Sequence, residues 1–399
     1  MKKMRPNSVL NLFLQRLFLL GMLLLLGTMA GLCQVGPKKA KPVVNQEERD
    51  AAYRQLFTTL FYKWDHNQDG KVDVREINSV IQDPSIHGNE SAIAVVLRRH
   101  LLRENENQTN GLTLAEMLTM GGDPQMQKAV SGNAWHVAAI NHALFLPNDP
   151  SLAVFHQGGM GDCYLLAVVG TFTYHHPELI RTMIQMQPDG KFDVHFGNGK
   201  KVLIEPITDS ELILGAVEGR DHGIWLSVLE KAFAKARLDA KEEKTGLAAD
   251  ADEAVLSDLI GHGGYYAPVM AMFSGHKTAS VPMGRWLKDD PAGGVVKMNE
   301  LLTRLSTDHR VMAVCTGGDK TKTLPKGVPH GHVFGVLEYS PATHMVRVFN
   351  PWGNHFKPPG EPGLVHGYVT QHGIFDVPLA EFMKVFGGFT YETDKLAGR

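Results

Sequence analysis

The chain has 399 residues, 43% of them hydrophobic and 21% charged, with a formal net charge of −2. Length alone suggests two or three domains at roughly 150 residues each, and the balanced charge argues against a dedicated nucleic-acid binder, which normally shows a basic patch or tail. Three cysteines, Cys33, Cys163 and Cys315, exclude a disulfide scaffold.

Residues 1–33 read as a targeting segment. Lys2, Lys3 and Arg5 precede an apolar run from Leu17 to Ala30, and Thr28-Met29-Ala30 offers small residues for cleavage. The run falls short of the roughly 20 residues that a membrane span requires, so a signal peptide and an exported protein are expected. An uncleaved membrane anchor is the alternative, because Val9 to Leu14 adds apolar length. Cys33 is not expected to carry a lipid, since Leu32 stands where a small residue belongs. Residues 34–46 are a linker, with Gly36-Pro-Lys-Lys-Ala-Lys-Pro42 as a solvated tether.

Residues 47–120 are expected to form an all-α module. Tyr53, Leu56, Phe57, Leu60, Phe61 and Trp64 recur at spacings of three and four, which predicts a helix from Glu47 to Trp64. It runs into Asp65-His-Asn67-Gln-Asp69-Gly70-Lys71-Val72-Asp73-Val-Arg-Glu76. Oxygen-bearing side chains stand at Asp65, Asn67, Asp69 and Asp73, Gly70 sits at the tight bend, and Lys71 offers its backbone carbonyl. Glu76 closes the set as a bidentate ligand, so the stretch matches an EF-hand calcium loop. Ca²⁺ is therefore the expected cofactor, with no organic cofactor. Val72 is the apolar residue that pairs with a second loop. There Asn105, Asn107, Thr109, the Gly111 carbonyl, Thr113 and Glu116 fall in ligand positions, with Leu112 opposite Val72. Only Glu116 among them is charged and Asn110 replaces the bend glycine, so this second loop is a structural partner that binds weakly or not at all.

Residues 121–149 read as a connection, with a short helix from Ala134 to Leu144 leading into the next unit. A glycine-rich turn containing Gly158, Gly159 and Gly161 then delivers Cys163 onto the first turn of an apolar helix. A thiol there meets unpaired backbone N–H groups and the positive end of the helix dipole, which favour the nucleophilic thiolate. Gln157, six residues earlier, is placed to donate its amide to a developing oxyanion. An inert buried cysteine is the plain alternative. Cys315, inside the apolar run Val311 to Thr316, reads as a core residue.

Residues 150–264 are mainly helical and form the first lobe, interrupted by a hairpin of Phe192–Phe196 and Lys201–Ile204. In the helix that starts at Trp225, residues 225, 228, 229, 232 and 233 make one apolar core face. From about Pro268 strands are expected to dominate a β-rich second lobe, residues 265–392. His332–Tyr339 and His344–Asn350 are strand-like and flank the turn Ser340–Thr343. A hairpin centred on Pro341 sets Asn350 opposite His332 on one face. Cysteine, histidine and asparagine together supply a nucleophile, a base and a group that orients the base. His330, two residues from His332, is the rival base, and the remaining histidines lack the fixed pairs of a zinc site.

Gln157-Gly-Gly-Met-Gly-Asp-Cys163-Tyr-Leu-Leu-Ala resembles the cysteine segment of the calpain family of papain-like cysteine proteases. Gly331-His332 resembles the histidine segment of that family, and Asn350-Pro-Trp-Gly353 its asparagine segment. Trp225 to Lys235 and Gly373 to Met383 agree as well, so five islands fall in a consistent order. The resemblance implies an α+β, papain-like two-lobed core preceded by the EF-hand module. It also implies an endopeptidase acting on protein or peptide substrates, with Cys163 as nucleophile, His332 as base and acid, Asn350 as orienter and Gln157 as oxyanion donor. A catalytically dead calcium-binding scaffold, or an acyl transferase using the same residues, are the alternatives. The chain departs from familiar calpains in carrying its EF-hands ahead of the core, in Tyr164 after the cysteine, and in lacking their core calcium ligands.

Overall fold

The computed structural model describes residues 46–104, 111–216, 221–245 and 255–396. The expected signal segment, the linker up to Asn45, and Asn105, Asn107 and Thr109 of the second loop lie outside the described residues.

The N-terminal region contains α1 (Gln46–Trp64), β1 (Lys71–Val72), α2 (Val74–Gln82), α3 (Asn89–Glu104), β2 (Leu112–Thr113) and α4 (Leu114–Gly121). Phe57, Leu60, Phe61 and Trp64 are buried, as their helical spacing requires, against a core that includes Ile77, Ile81 and Leu97. β1 and β2 pair antiparallel with Val72 facing Leu112. Both α2 and α4 open on capping boxes, Asp73 with Glu76 and Thr113 with Glu116. The connection differs from expectation. Asp123 caps and Pro124 opens a single helix, α5 (Pro124–Ala139), which starts ten residues before Ala134 and stops at Ile140. Its residues Gln127, Val130 and Val137 are buried, so it is packed structure and not a tether.

The first lobe follows with α6 (Cys163–His175), α7 (Pro177–Met183), β3 (Ile184–Met186), β4 (Phe192–His195), β5 (Lys201–Ile204), α8 (Asp209–Leu214), α9 (Trp225–Thr245) and α10 (Leu256–Ile260). The predicted hairpin is present, with β3 added at its edge as a three-stranded sheet. Beyond it come α11 (Tyr266–Ser274), β6 (His276–Val281), α12 (Met283–Asp289), α13 (Pro291–Thr307), β7 (Met312–Cys315), β8 (Val333–Ser340), β9 (Met345–Phe349), β10 (Ile374–Pro378), α14 (Leu379–Val385) and β11 (Gly388–Leu396). Strands therefore do not dominate from Pro268. Asp290 caps α13 ahead of Pro291, and Met298, Leu302 and Leu305 bury one face at helical spacing.

One six-stranded antiparallel sheet, in the order β10-β9-β8-β7-β11-β6, organises this half. Ala313, Val333 and Phe349 face a core shared with α6, while Met312, Val314, Phe334 and Val348 face a second core shared with α13 and α14. Because both faces are covered, β7 and β8 read as almost unbroken apolar runs. The hairpin register also differs from a turn centred on Pro341. Tyr339 pairs with Val346, three places from the expected partner, and Gly335 pairs with Phe349, two places from it. The register shifts between Val336 and Glu338. An odd displacement turns side chains to the wrong face, and the bulge restores an even one before the strand reaches His332.

Candidate active site

α6 begins at Cys163, with Asp162 as its N-cap residue. The preceding turn is wedged between two backbone segments. A Cβ on Gly158 would stand 2.3 Å from the Gly215 carbonyl oxygen, and one on Gly161 would stand 2.6 Å from that of Gly261. Glycine is thus required by close approach. The Gly161 N–H donates to the Gly261 carbonyl at 2.8 Å, and the Gly263 N–H donates back to Gly161 at 2.9 Å. The Gln157 N–H donates to the Pro351 carbonyl at 2.9 Å, which ties the cysteine turn to the segment after Asn350.

The expectation that the helix start would favour the thiolate is not met in this resting state. Burial pushes the Cys163 thiol above its ordinary range, and the neighbouring Asp162 charge adds to the rise. The N–H groups of Val333, Tyr164 and Cys163 pull the other way without overcoming it. Desolvation of a charge in a packed interior wins over partial charges at a helix end. Asp162 is itself 1% exposed, and burial lifts its carboxyl to about 6.

His332 and Asn350 meet side chain to side chain, His332 Nε2 lying 2.9 Å from Asn350 Oδ1. They are 4% and 1% exposed, so the contact is withdrawn from water. Asn350 accepts through Oδ1, which makes Nε2 the protonated nitrogen of a neutral ring and leaves Nδ1 as the basic one. Burial lowers the imidazole to about 4, with the Asn350 hydrogen bond opposing part of that fall. Trp352 covers the ring with centroids 4.7 Å apart, and Phe334 meets it edge-on at 4.8 Å. The rival His330 is exposed, whereas His332 is buried and paired. Cys315 instead faces the Tyr266 hydroxyl at 3.6 Å.

Gln157 lies in the turn as expected, but its Nε2 donates to the Met160 carbonyl at 2.6 Å. An amide nitrogen carries two hydrogens, and the neighbouring Asp162 carboxylate competes for the second. Three polar residues around this site escaped sequence reading. Thr316 Oγ1 accepts from the His332 N–H at 3.1 Å, and the Thr316 N–H donates to the His332 carbonyl at 2.9 Å. Asn354 accepts from Asn350 Nδ2 at 3.0 Å, which fixes which way the Asn350 amide points. Asp162 had a signal, since it directly precedes Cys163, whereas Thr316 and Asn354 had none.

In the Asp65 loop, Asp65 accepts from the N–H groups of Asp69 and Gly70 at 3.1 Å each, and Asn67 accepts from Asp69 at 2.9 Å. Glu76, 8% exposed, reaches back to the N–H of His66 at 2.8 Å and of Asp73 at 3.0 Å. Asp73 caps α2, Asp69 accepts from the Lys71 N–H, and Gly70 has φ +82°. Among the described residues no three His, Cys, Asp or Glu side chains converge as a metal cage. The donor set is nevertheless all oxygen, as a hard cation requires, and the carboxylates are closed on the loop's own amides.

A buried imidazole oriented by an amide, beside a strand whose Val333 N–H faces a helix-start thiol, is the apparatus of a cysteine peptidase. A family model described as the calpain family cysteine protease matches residues 124–359, more than half of the chain. The chain belongs to that family and is a cysteine-type endopeptidase. No curated protein matches the chain.

Proposed function

We propose that peptide bonds are cleaved through a thioester on Cys163, with His332, Asn350 and Gln157 in supporting roles. With His332 lowered and Cys163 raised, thiol and imidazole rest as a neutral pair at pH 7. His332 Nδ1 takes the thiol proton as Sγ attacks the carbonyl carbon. The same proton passes to the leaving amine when the C–N bond breaks. Water, deprotonated by the same nitrogen, then releases the acid and restores the thiol. The Cys163 N–H and the second Gln157 amide hydrogen stabilise the oxyanion. The observation that carries this reading is the buried 2.9 Å contact between His332 and Asn350, which selects the basic nitrogen. A thiol-directed peptide epoxide followed by mass spectrometry tests it. A label on Cys163 that disappears in His332→Ala supports the assignment, and a label on Cys315 alone overturns it.

The Asp65 loop is proposed to hold one Ca²⁺ through Asp65, Asn67, Asp69, the Lys71 carbonyl, Asp73 and Glu76. The ion would balance four neighbouring carboxylates, of which Asp73 also meets a cation, Arg75 Nε at 3.3 Å. The basic start and short apolar run of residues 1–33 support export with cleavage shortly after Ala30. Sequencing the mature N-terminus decides this, an intact Met1 on membrane-extracted protein pointing to an anchor.

A further inference from the structure

The two segments that wedge the cysteine turn are each gripped by one of two consecutive arginines of α3. Arg98, with a side chain 3% exposed, donates through Nη2 to both carboxylate oxygens of Asp258, at 2.6 and 2.5 Å. Its Nε donates to Asn78 Oδ1 at 2.8 Å. Asp258 lies on α10, which ends at Ile260, and the next residues are the Gly261–Gly263 segment that ladders onto Gly161. Arg99 Nη2 donates to the Ile213 carbonyl at 3.4 Å. That residue precedes Leu214 and Gly215, whose carbonyl oxygens lie 3.2 and 2.3 Å from a Cβ built on Gly158. The same guanidinium nitrogen stands 3.6 Å from a Cβ built on Gly159. One arginine therefore sets each wall of the turn that presents Cys163, and both come from outside the matched protease region at 124–359.

We propose that Arg98 and Arg99 are positioning residues for the catalytic turn, so that the N-terminal helices are a working part of the active site. The proposal rests on Cys163 being the nucleophile. A buried ion pair is weak evidence for stability, because apolar residues of similar volume often serve that purpose as well or better. What a guanidinium adds is direction. Its planar fork fixes Asn78 and Asp258 relative to each other, which a lysine ammonium does not do. A turn held against two backbone walls transmits any shift of those walls to Sγ.

The test uses the full chain with Arg98→Lys, Asp258→Asn, their double variant, Asp258→Glu and Arg99→Ala. Four quantities are read: the rate of Cys163 alkylation by iodoacetamide, kcat per thiol titrated with peptide epoxide, KM, and the melting temperature. Arg98→Lys and Asp258→Asn should each slow alkylation and lower kcat by about tenfold to a hundredfold, with KM changed less, as expected for misplaced reacting atoms. The double variant should lose no more than the worse single variant, since both remove one contact. Asp258→Glu should recover most of the rate. Asp258 is 34% exposed, so Asp258→Asn reads the same contact even where an Arg98 variant folds poorly. Arg99→Ala should lower kcat in the same direction by loosening the other wall. A fall in melting temperature with kcat per titrated thiol equal to wild type overturns the proposal and leaves the pair merely structural. Failure of the epoxide to label Cys163 in the wild type is a separate result, which removes the nucleophile assignment itself.

Discussion

The Asp65 loop is shaped by hydrogen bonds that span at most ten positions: Asp65 to Asp69 and Gly70, Asn67 to Asp69, Glu76 to His66 and Asp73. Around Cys163 the partners are far apart in the chain. Gln157 bonds Pro351, Gly161 bonds Gly261, His332 bonds Thr316 and Asn350, and Asn350 bonds Gly373. A site closed within twelve residues depends on its own turn and tolerates change elsewhere. A site spread over the chain inherits the burial of every element packed around it, and this decides its ionisation. That contrast teaches where each site is vulnerable.

The sharpest break comes at the dispersed site. Cys163→Ala should abolish hydrolysis of a fluorogenic peptide, and His332→Ala should lower it by about 10²–10⁴-fold, while Cys315→Ala keeps nearly full activity. Activity in Cys163→Ala with loss in Cys315→Ala would reverse the assignment. Gln157→Ala should lower kcat by about 10²–10³-fold if its remaining amide hydrogen serves the oxyanion. An unchanged kcat would confine Gln157 to shaping the turn through Met160.

The compact site should answer to calcium in stability. A hundredfold excess of Ca²⁺ over its dissociation constant should stabilise the fold by about 2.7 kcal/mol. Glu76→Ala should erase most of that gain, and Glu116→Ala little of it. Calorimetry with and without a chelator measures both. A calcium-dependent rise in turnover, lost in Glu76→Ala, would instead show that the compact site reports to the dispersed one.

Acidity gives the most discriminating difference. Burial holds His332 and His175 at about 4 in the folded chain, against 6.5 ordinarily. Their contribution to stability is present above 6.5 and is lost as pH falls toward 4, because the unfolded chain takes up protons first. Asp162, raised from 3.8 to about 6, acts oppositely: its contribution is present below 3.8 and is lost as pH rises through 6. Melting temperature should therefore decline on acidification from pH 6.5 to 4, less steeply than two histidines alone would give. His332→Gln should flatten the decline. The acid limb of kcat/KM should lie near pH 4, since a protonated imidazole cannot accept the thiol proton. A limb near 6.5 would mean that His332 is solvated during turnover.

The sequence by itself determined what short-range chemistry controls. Glycine spacing and a following apolar run located the Cys163 helix start, twelve consecutive residues specified the Asp65 loop, and two β-rich runs predicted the hairpin that carries His332 and Asn350. Spacing alone also foretold that Val72 would face Leu112. Helix α13 was written in the chain as Asp290-Pro291 followed by apolar residues at helical spacing, yet the surrounding strands obscured it. Tertiary structure decided the rest. The bulge near Leu337 set an even register toward His332 in a strand whose two faces are both buried, so no polar alternation announced it. The Cys163 thiol rose where its helix alone would have lowered it, because desolvation sums over every element packed against it. Arg98 and Arg99 look like an ordinary basic pair on a helix until folding sets Asp258 and Ile213 beside them. Nothing in a local window encodes which distant backbone a side chain will meet, and the turn before Cys163 is packed among such meetings.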